Sequence, residues 1–156
     1  ATKPILRTLD IRDVNSISEK SWLKYGTTKS PLEMIRSLKF ESFVNFITDT
    51  SFNYLDQTTD TYDFIFLDGD HSAKTVYQEI PKALRKLNKD GIILLHDYFP
   101  DAKPLWSNNS VIEGPYLATE RLIMEGAEIT ILPLGSLPWK TKLNSNVTSL
   151  ALCLKK

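Results

Sequence analysis

Two apolar runs in this chain end on the same kind of turn. Residues 62 to 67, Tyr-Asp-Phe-Ile-Phe-Leu, stop at Asp68-Gly69-Asp70-His71. Residues 91 to 95, Gly-Ile-Ile-Leu-Leu, stop at His96-Asp97-Tyr98. Short apolar runs bounded by turn residues read as buried strands. Between them, Val76, Tyr77, Ile80, Leu84 and Leu87 recur at helical spacing over residues 73 to 88. Strand, helix, strand is the unit of a parallel sheet. The chain has only two histidines, and each stands beside an aspartate at one of these strand ends. Ligands of open α/β sheets bind at that edge, so the two turns read as one site.

The rest of the chain extends the pattern. Residues 4 to 11 form a strand ending at Asp10, followed by a polar stretch to about residue 29. Ser30-Pro31-Leu32-Glu33 opens a helix: serine caps, proline suits the first turn, and glutamate completes a capping box. Leu32, Ile35 and Leu38 give it an apolar face. Residues 43 to 48 form a strand ending at Asp49, with a short helix over 51 to 57. Pro81 is expected to kink the helix of residues 73 to 88, since it removes a hydrogen bond to residue 77. Asn88 to Gly91 reads as a turn, and residues 99 to 114 as a long irregular loop. A helix starts at Pro115 and ends at Gly126. Glu128-Ile-Thr-Ile-Leu132 and Val147 to Leu154 are the last strands, joined by a loop and paired antiparallel. The fold class is α/β: a doubly wound, mostly parallel sheet with a C-terminal antiparallel pair, in a single domain over residues 1 to 156.

Composition narrows the function. The formal net charge is zero, and no lysine or arginine cluster offers a footprint for nucleic acid. No apolar run reaches the roughly 18 residues that span a bilayer, and no signal peptide opens the chain. A cytoplasmic protein without nucleic-acid or membrane partners is the expectation. Cys153, the only cysteine, lies in an apolar run and is expected to be a buried strand residue. It cannot form an internal disulfide or a zinc site alone. Asn108 and Asn146 begin glycosylation sequons, which carry no meaning without secretion.

The Asp68-Gly-Asp-His-Ser72 turn followed by His96-Asp-Tyr98 resembles class I S-adenosylmethionine-dependent methyltransferases. It is most similar to the branch with D-G-D-H-S after strand four and H-D-Y after strand five. The resemblance runs from Asp10 onward and implies S-adenosylmethionine as cofactor. It implies cofactor-binding roles for Asp10, Asp49 and Asp68. Asp10 would take the ribose hydroxyls, with Asp13 close enough to compete. Asp49 would accept from the adenine amino group. The plain alternatives are a solvated acid at Asp10 and a helix cap at Asp49. It implies catalytic roles for His71, Asp68 and Asp97, with His71 as the general base on a hydroxyl. The alternative for His71 is a helix cap or a bond to Asp97. The resemblance also implies a divalent metal on Asp68, His96 and Asp97. There His96 departs from the family's oxygen ligands, and imidazole suits magnesium poorly. Gly69 would let the chain turn sharply and a ligand approach. Trp106, Tyr116 and Trp139 fall in loops that face the substrate in this fold.

One family element has no counterpart. None of the six glycines forms the glycine-rich loop that follows strand one, and the first strand here matches strand two. The chain is therefore expected to be the C-terminal part of a longer domain. A gap in the sheet would be filled by preceding residues, by another chain, or by direct pairing of residues 4 to 11 with 62 to 67. The expected function is methyl transfer to a hydroxyl of a small molecule, a sugar or an aryl compound, with homo-oligomerisation left open. An inactive methyltransferase-like binding or assembly module is the alternative. A metal-dependent phosphoester hydrolase ranks last, since no phosphoryl-accepting D-x-D-G-T is present.

Overall fold

A computed structural model describes residues 5 to 156. The chain forms two compact units, Ala1–Gln57 and Thr58–Lys156.

In the first unit, strand β1 (Leu6–Asp10) pairs parallel with β2 (Val44–Thr48), Asp10 opposite Thr48. Helices α1 (Pro31–Ser37) and α2 (Ser51–Gln57) complete it. The capping box forms as expected. Ser30 Oγ accepts from the Glu33 N–H at 3.2 Å, and the Glu33 carboxylate accepts from the Ser30 N–H at 2.8 Å. Asn15 Oδ1 accepts from the Leu32 N–H at 2.7 Å, tying the preceding loop to the helix start. The expected apolar face of α1 buries none of its residues.

In the second unit, β3 (Tyr62–Leu67), α3 (Ala73–Arg85) and β4 (Leu87–Leu95) make the parallel crossover. Helix α4 (Gly114–Met124) and strands β5 (Ile129–Pro133) and β6 (Ala151–Lys155) follow. The sheet order is β3-β4-β6-β5, with β6 antiparallel to both its neighbours. The expected antiparallel pair is thus present. Among the described residues the strands form two sheets, β1-β2 and β3-β4-β6-β5, with no pairing of β1 to β3.

Three boundaries differ from the sequence reading. First, α3 ends at Arg85 instead of residue 88, with Pro81 inside it as the sequence reading has it. The lost hydrogen bond is local, whereas Ile80 and Ala83 on either side are fully buried and hold the turn in place. Second, residues 87 to 90 belong to β4 rather than to a turn. The register slips between Tyr62 and Phe64, with Asp90 at φ 66. The bulge brings Gly91 so close to the facing strand that a Cβ there would stand 3.0 Å from the Tyr62 carbonyl oxygen. Third, β6 starts at Ala151, while Val147 bridges to Ser136 and the Ser149 carbonyl accepts from the Tyr98 N–H.

Directly paired residues share a sheet face. One face carries Ile93, Leu95, Ala151, Cys153 and Ile129, all buried. The inner stripes of the helices are buried too: Val76, Ile80 and Ala83 on α3, Ala118 and Leu122 on α4. The other face carries Phe64, Phe66 and Leu132, exposed by 52%, 46% and 45%. No helix among the described residues is long and apolar enough to cross a membrane.

Candidate active site

The second unit's site is built on two adjacent strand ends. The His96 N–H donates to the Leu67 carbonyl at 3.1 Å, extending the β3–β4 ladder one step past both strands. That bond sets the two turns side by side.

The first turn is shaped by Asp70. Its carboxylate accepts from the Ser72 N–H at 2.9 Å, the Ser72 hydroxyl at 3.0 Å and the Thr75 hydroxyl at 2.7 Å. The Thr75 hydroxyl, with the Ser72 bonds, holds its carboxyl below the usual range. Ser72 then caps α3, its Oγ accepting from the Thr75 N–H at 3.3 Å. Ser72 is the cap, so His71 is released from that role. At Gly69 a Cβ would meet nothing within 4 Å, so the space beside it is open to a ligand. The demanding glycine is Gly114, at the start of α4. A Cβ there would fall 1.9 Å from the His71 carbonyl oxygen and 2.7 Å from the Ala73 nitrogen. Helix α4 thus presses its first turn against the His71 turn.

The second turn places Asp97 at φ 50, a left-handed conformation uncommon outside glycine. The Ser149 hydroxyl donates to Asp97 Oδ1 at 3.2 Å, and the Tyr98 N–H donates to the Ser149 carbonyl at 2.7 Å. Buried Ser149 therefore fixes Asp97 from the neighbouring chain segment.

The four sequence-predicted residues of this unit converge. His71 Nε2 lies 3.6 Å from Asp68 Oδ1 and 3.6 Å from Asp97 Oδ2. His96 Nδ1 lies 2.7 Å from Asp68 Oδ1 and 3.6 Å from Asp97 Oδ2. The two imidazoles are tilted against each other with centroids 5.6 Å apart, and Phe66 meets His96 edge-on. His96 Nδ1 is buried and has no hydrogen-bond partner among the described residues. The approach to Asp68 has a hydrogen bond's length but not its direction.

In the first unit, Asp10 and Asp49 end parallel neighbours, and the Asp49 N–H donates to the Asp10 carbonyl at 3.1 Å. Both Asp10 oxygens are engaged by Arg12. Oδ1 accepts from its N–H at 2.9 Å and its Nε at 3.2 Å, and Oδ2 from Nη2 at 3.2 Å. The Arg12 side-chain bond holds the Asp10 carboxyl below its usual range. Asp49 Oδ1 accepts from the Thr50 N–H at 2.7 Å and from Asn53 Nδ2 at 3.2 Å. The cap of α2 is Thr50, whose Oγ1 accepts from the Asn53 N–H at 3.2 Å, and Asp49 stands one residue before it. Asp13 is exposed and closes its own turn onto the Asn15 N–H at 2.9 Å.

The loop aromatics divide. Trp106 is anchored: its Nε1 donates to Ser145 Oγ at 3.3 Å, Lys142 sits 3.4 Å from the ring centroid, and Phe99 meets its edge. Tyr116 packs edge-on with Tyr98. Trp139 is exposed.

Sequence reasoning missed two residues. Ser149 gave no local signal, since its partner Asp97 is 52 positions away. Glu79 did give one. It sits on the apolar stripe of α3, is buried, and lines with His71, His96 and Pro115 the hollow behind the turns.

The geometry can be set beside known proteins. Residues 13–98 match a family model described as a methyltransferase domain. No curated protein matches the chain. Among solved structures, the O-methyltransferase from Bacillus cereus in complex with SAH superposes with a TM-score of 0.58 at 15% identity, over 97% of this chain and 63% of that one. The O-methyltransferase TomG from Streptomyces achromogenes, in complex with SAM, gives 0.54 at 11% identity, over 88% and 59%. The chain spans less than two thirds of the length of either protein. At such identities the likeness concerns the fold, which is that of class I methyltransferases. The matched segment covers more than half of the sequence and includes Asp68, His71, His96 and Asp97, and the chain belongs to the methyltransferase domain family.

Proposed function

We propose that the protein transfers a methyl group from S-adenosylmethionine to a hydroxyl of a small molecule, such as a sugar or an aryl compound. The observation that carries this reading is the convergence of His71 on two carboxylates at the carboxyl edge of β3 and β4. S-adenosylmethionine, when bound, supplies a methyl group on a positively charged sulfur. The chain's residues do the rest. His71 Nε2 would take the proton of the acceptor hydroxyl as its oxygen bonds to the methyl carbon and the methyl–sulfur bond breaks, its electron pair staying on the sulfur, which leaves as a neutral thioether. Asp68 and Asp97 face that nitrogen at 3.6 Å and set two carboxylates beside the proton it would take.

In this reading Asp10, Asp49 and Asp68 are the cofactor-binding residues. Asp49 makes its two hydrogen bonds through Oδ1, so Oδ2 is the atom that would accept from adenine's amino group. Asp10 must release Arg12 before it can hold a ribose diol. The Arg12 side chain is 63% exposed, so the exchange moves it into water rather than out of a core. Asp68, at the mouth of the cluster, would serve the cofactor from β3.

A second reading adds a divalent metal on Asp68, His96 and Asp97. The buried, unpartnered His96 Nδ1 favours it.

Turnover and binding test the proposal. His71→Ala should lower methyl transfer about a hundredfold or more, the ordinary worth of a general base. Asp10→Ala should weaken S-adenosylmethionine binding by about 1–3 kcal/mol, measured by calorimetry. Unchanged affinity would remove the ribose role, and unchanged turnover in His71→Ala would remove the base.

A further inference from the structure

We infer that the cluster of Asp68, His71 and His96 binds a nitrogen-preferring divalent metal of the zinc or cobalt class rather than magnesium, with His71 as a ligand. This rests on the metal reading of the site and not on methyl transfer itself.

Three observations carry it. One ligand atom from each of the three residues lies within 4.8 Å of the others. Ligands about 2.0–2.2 Å from a common zinc ion lie roughly 3.3 Å from each other. The measured separations of 2.7 Å and 3.6 Å from Asp68 Oδ1 to the two imidazole nitrogens bracket that value. Next, His96 Nδ1 is sealed from water without an aligned partner. Such an atom loses its hydration and gains nothing in return, and an ion between the three groups supplies the missing bond. Finally, the donor set is wrong for the metal that the family resemblance implies. Magnesium takes oxygen ligands in near-ideal octahedra and keeps several waters. Two imidazoles among three donors favour zinc, cobalt or nickel.

Asp97 plays a different part. Its Oδ2 stands 3.6 Å from both imidazole nitrogens, while Ser149 holds Oδ1. It adds negative charge beside the ion and keeps the two rings in place. The consequence for His71 is specific. A nitrogen that ligates a metal has no lone pair left for a proton, so Nε2 is a ligand in the loaded protein and a base only in the empty one.

The test uses chelator-stripped protein without cofactor or acceptor. Zn²⁺, Co²⁺ and Mg²⁺ are titrated in turn, with calorimetry for all three and visible absorption for Co²⁺. One Zn²⁺ should bind per chain, roughly 100-fold or more tighter than Mg²⁺. His71→Ala should weaken Zn²⁺ binding by about 100-fold, and Asp97→Asn by about 10-fold, as an outer-shell change does. Mass spectrometry of the unaltered protein after diethylpyrocarbonate treatment provides an arm that needs no variant. Zn²⁺ should protect His71 from modification, and Mg²⁺ should not. Equal or tighter Mg²⁺ binding, no binding of any of the three ions, or a His71 modified equally with and without Zn²⁺ would each overturn the inference. A protein that binds Zn²⁺ as described yet transfers no methyl group would keep this inference and lose the proposed function.

Discussion

The two faces of the β3-β4-β6-β5 sheet are almost equally apolar in sequence and very different in surroundings. One alternates Ile65, Leu67, Ile93, Leu95, Ala151 and Cys153; the other alternates Phe64, Phe66, Ile92, Leu94, Leu152 and Leu154. Burial separates them: Ile93 and Cys153 are 0% exposed, whereas Phe64 is 52% exposed. Near-continuous apolar strands belong to sheets covered on both sides. The covered face has its layer close by in sequence, in α3 and α4. Strand composition therefore asks for two layers, and the crossover helices answer for one. The site follows the covered face, because its two turns are the ends of the same strands and α4 braces one of them at Gly114.

The contrast is broken most sharply at Ile93. Ile93→Ala should cost about 2–5 kcal/mol in urea denaturation, the price of a buried branched side chain whose surroundings collapse only in part. A loss below about 1 kcal/mol would mean that this face is not the core. Next comes Gly114→Ala, at about 1–3 kcal/mol. The added methyl would strike backbone at His71 and Ala73, which cannot rotate away as a side chain can. Its signature is a combined effect: lower stability together with a displaced His71, read from the histidine ring resonances. Lower stability with unmoved histidine resonances would show that α4 does not position the site.

How much of this the sequence disclosed depends on how local each cause is. The strand ends, the α3 cap region and the capping box at Ser30 lie within a few residues of their causes and were legible. So was the convergence of Asp68, His71, His96 and Asp97, because one crossover fixes both turns. The end of α3 at Arg85 was not legible, since residues 87 to 90 read as a turn although they belong to β4. Nor was the bulge at Asp90, which depends on the approach of Tyr62. Gly69 is marked by its motif, whereas Gly114, the glycine that packing demands, lies 45 positions later with no motif around it. Arg12 on Asp10 and Ser149 on Asp97 were missed for opposite reasons. Ser149 is remote in sequence, and Arg12 is so near that it reads as an ordinary surface residue.

Cys153 sharpens the comparison through pH. Burial pushes its thiol up to about 11 from an ordinary value near 9. The folded state holds the proton more tightly than the unfolded one. The neutral thiol's contribution is therefore fully present below pH 9 and is lost as pH rises towards 11. Wild type and Cys153→Ala should keep a constant stability difference up to about pH 8. By pH 10 the difference should shift against the wild type by about 1 kcal/mol. A flat difference through pH 10 would mean that water reaches this face.

The smallest expected effect lies on the open face and decides what that face is. Phe64 pairs with Ile92 on the neighbouring strand, so it sits in the same sheet as Ile93 and differs in which way its side chain points. With about half of its surface already in water, Phe64→Ala removes little burial and leaves no closed cavity. Its cost should stay below about 1 kcal/mol, against the several expected for Ile93→Ala. Phe64 is the better probe than Phe66, whose ring edge meets His96 and would disturb the site. Denaturation of Phe64→Ala at low and high protein concentration separates the outcomes. A small cost at every concentration leaves the face open, as the structure draws it. A cost matching that of Ile93→Ala at all concentrations would mean that chain from the same molecule covers the face. A cost that grows with concentration would mean that a second copy covers it, and the two faces would then differ in when they are buried rather than in whether they are.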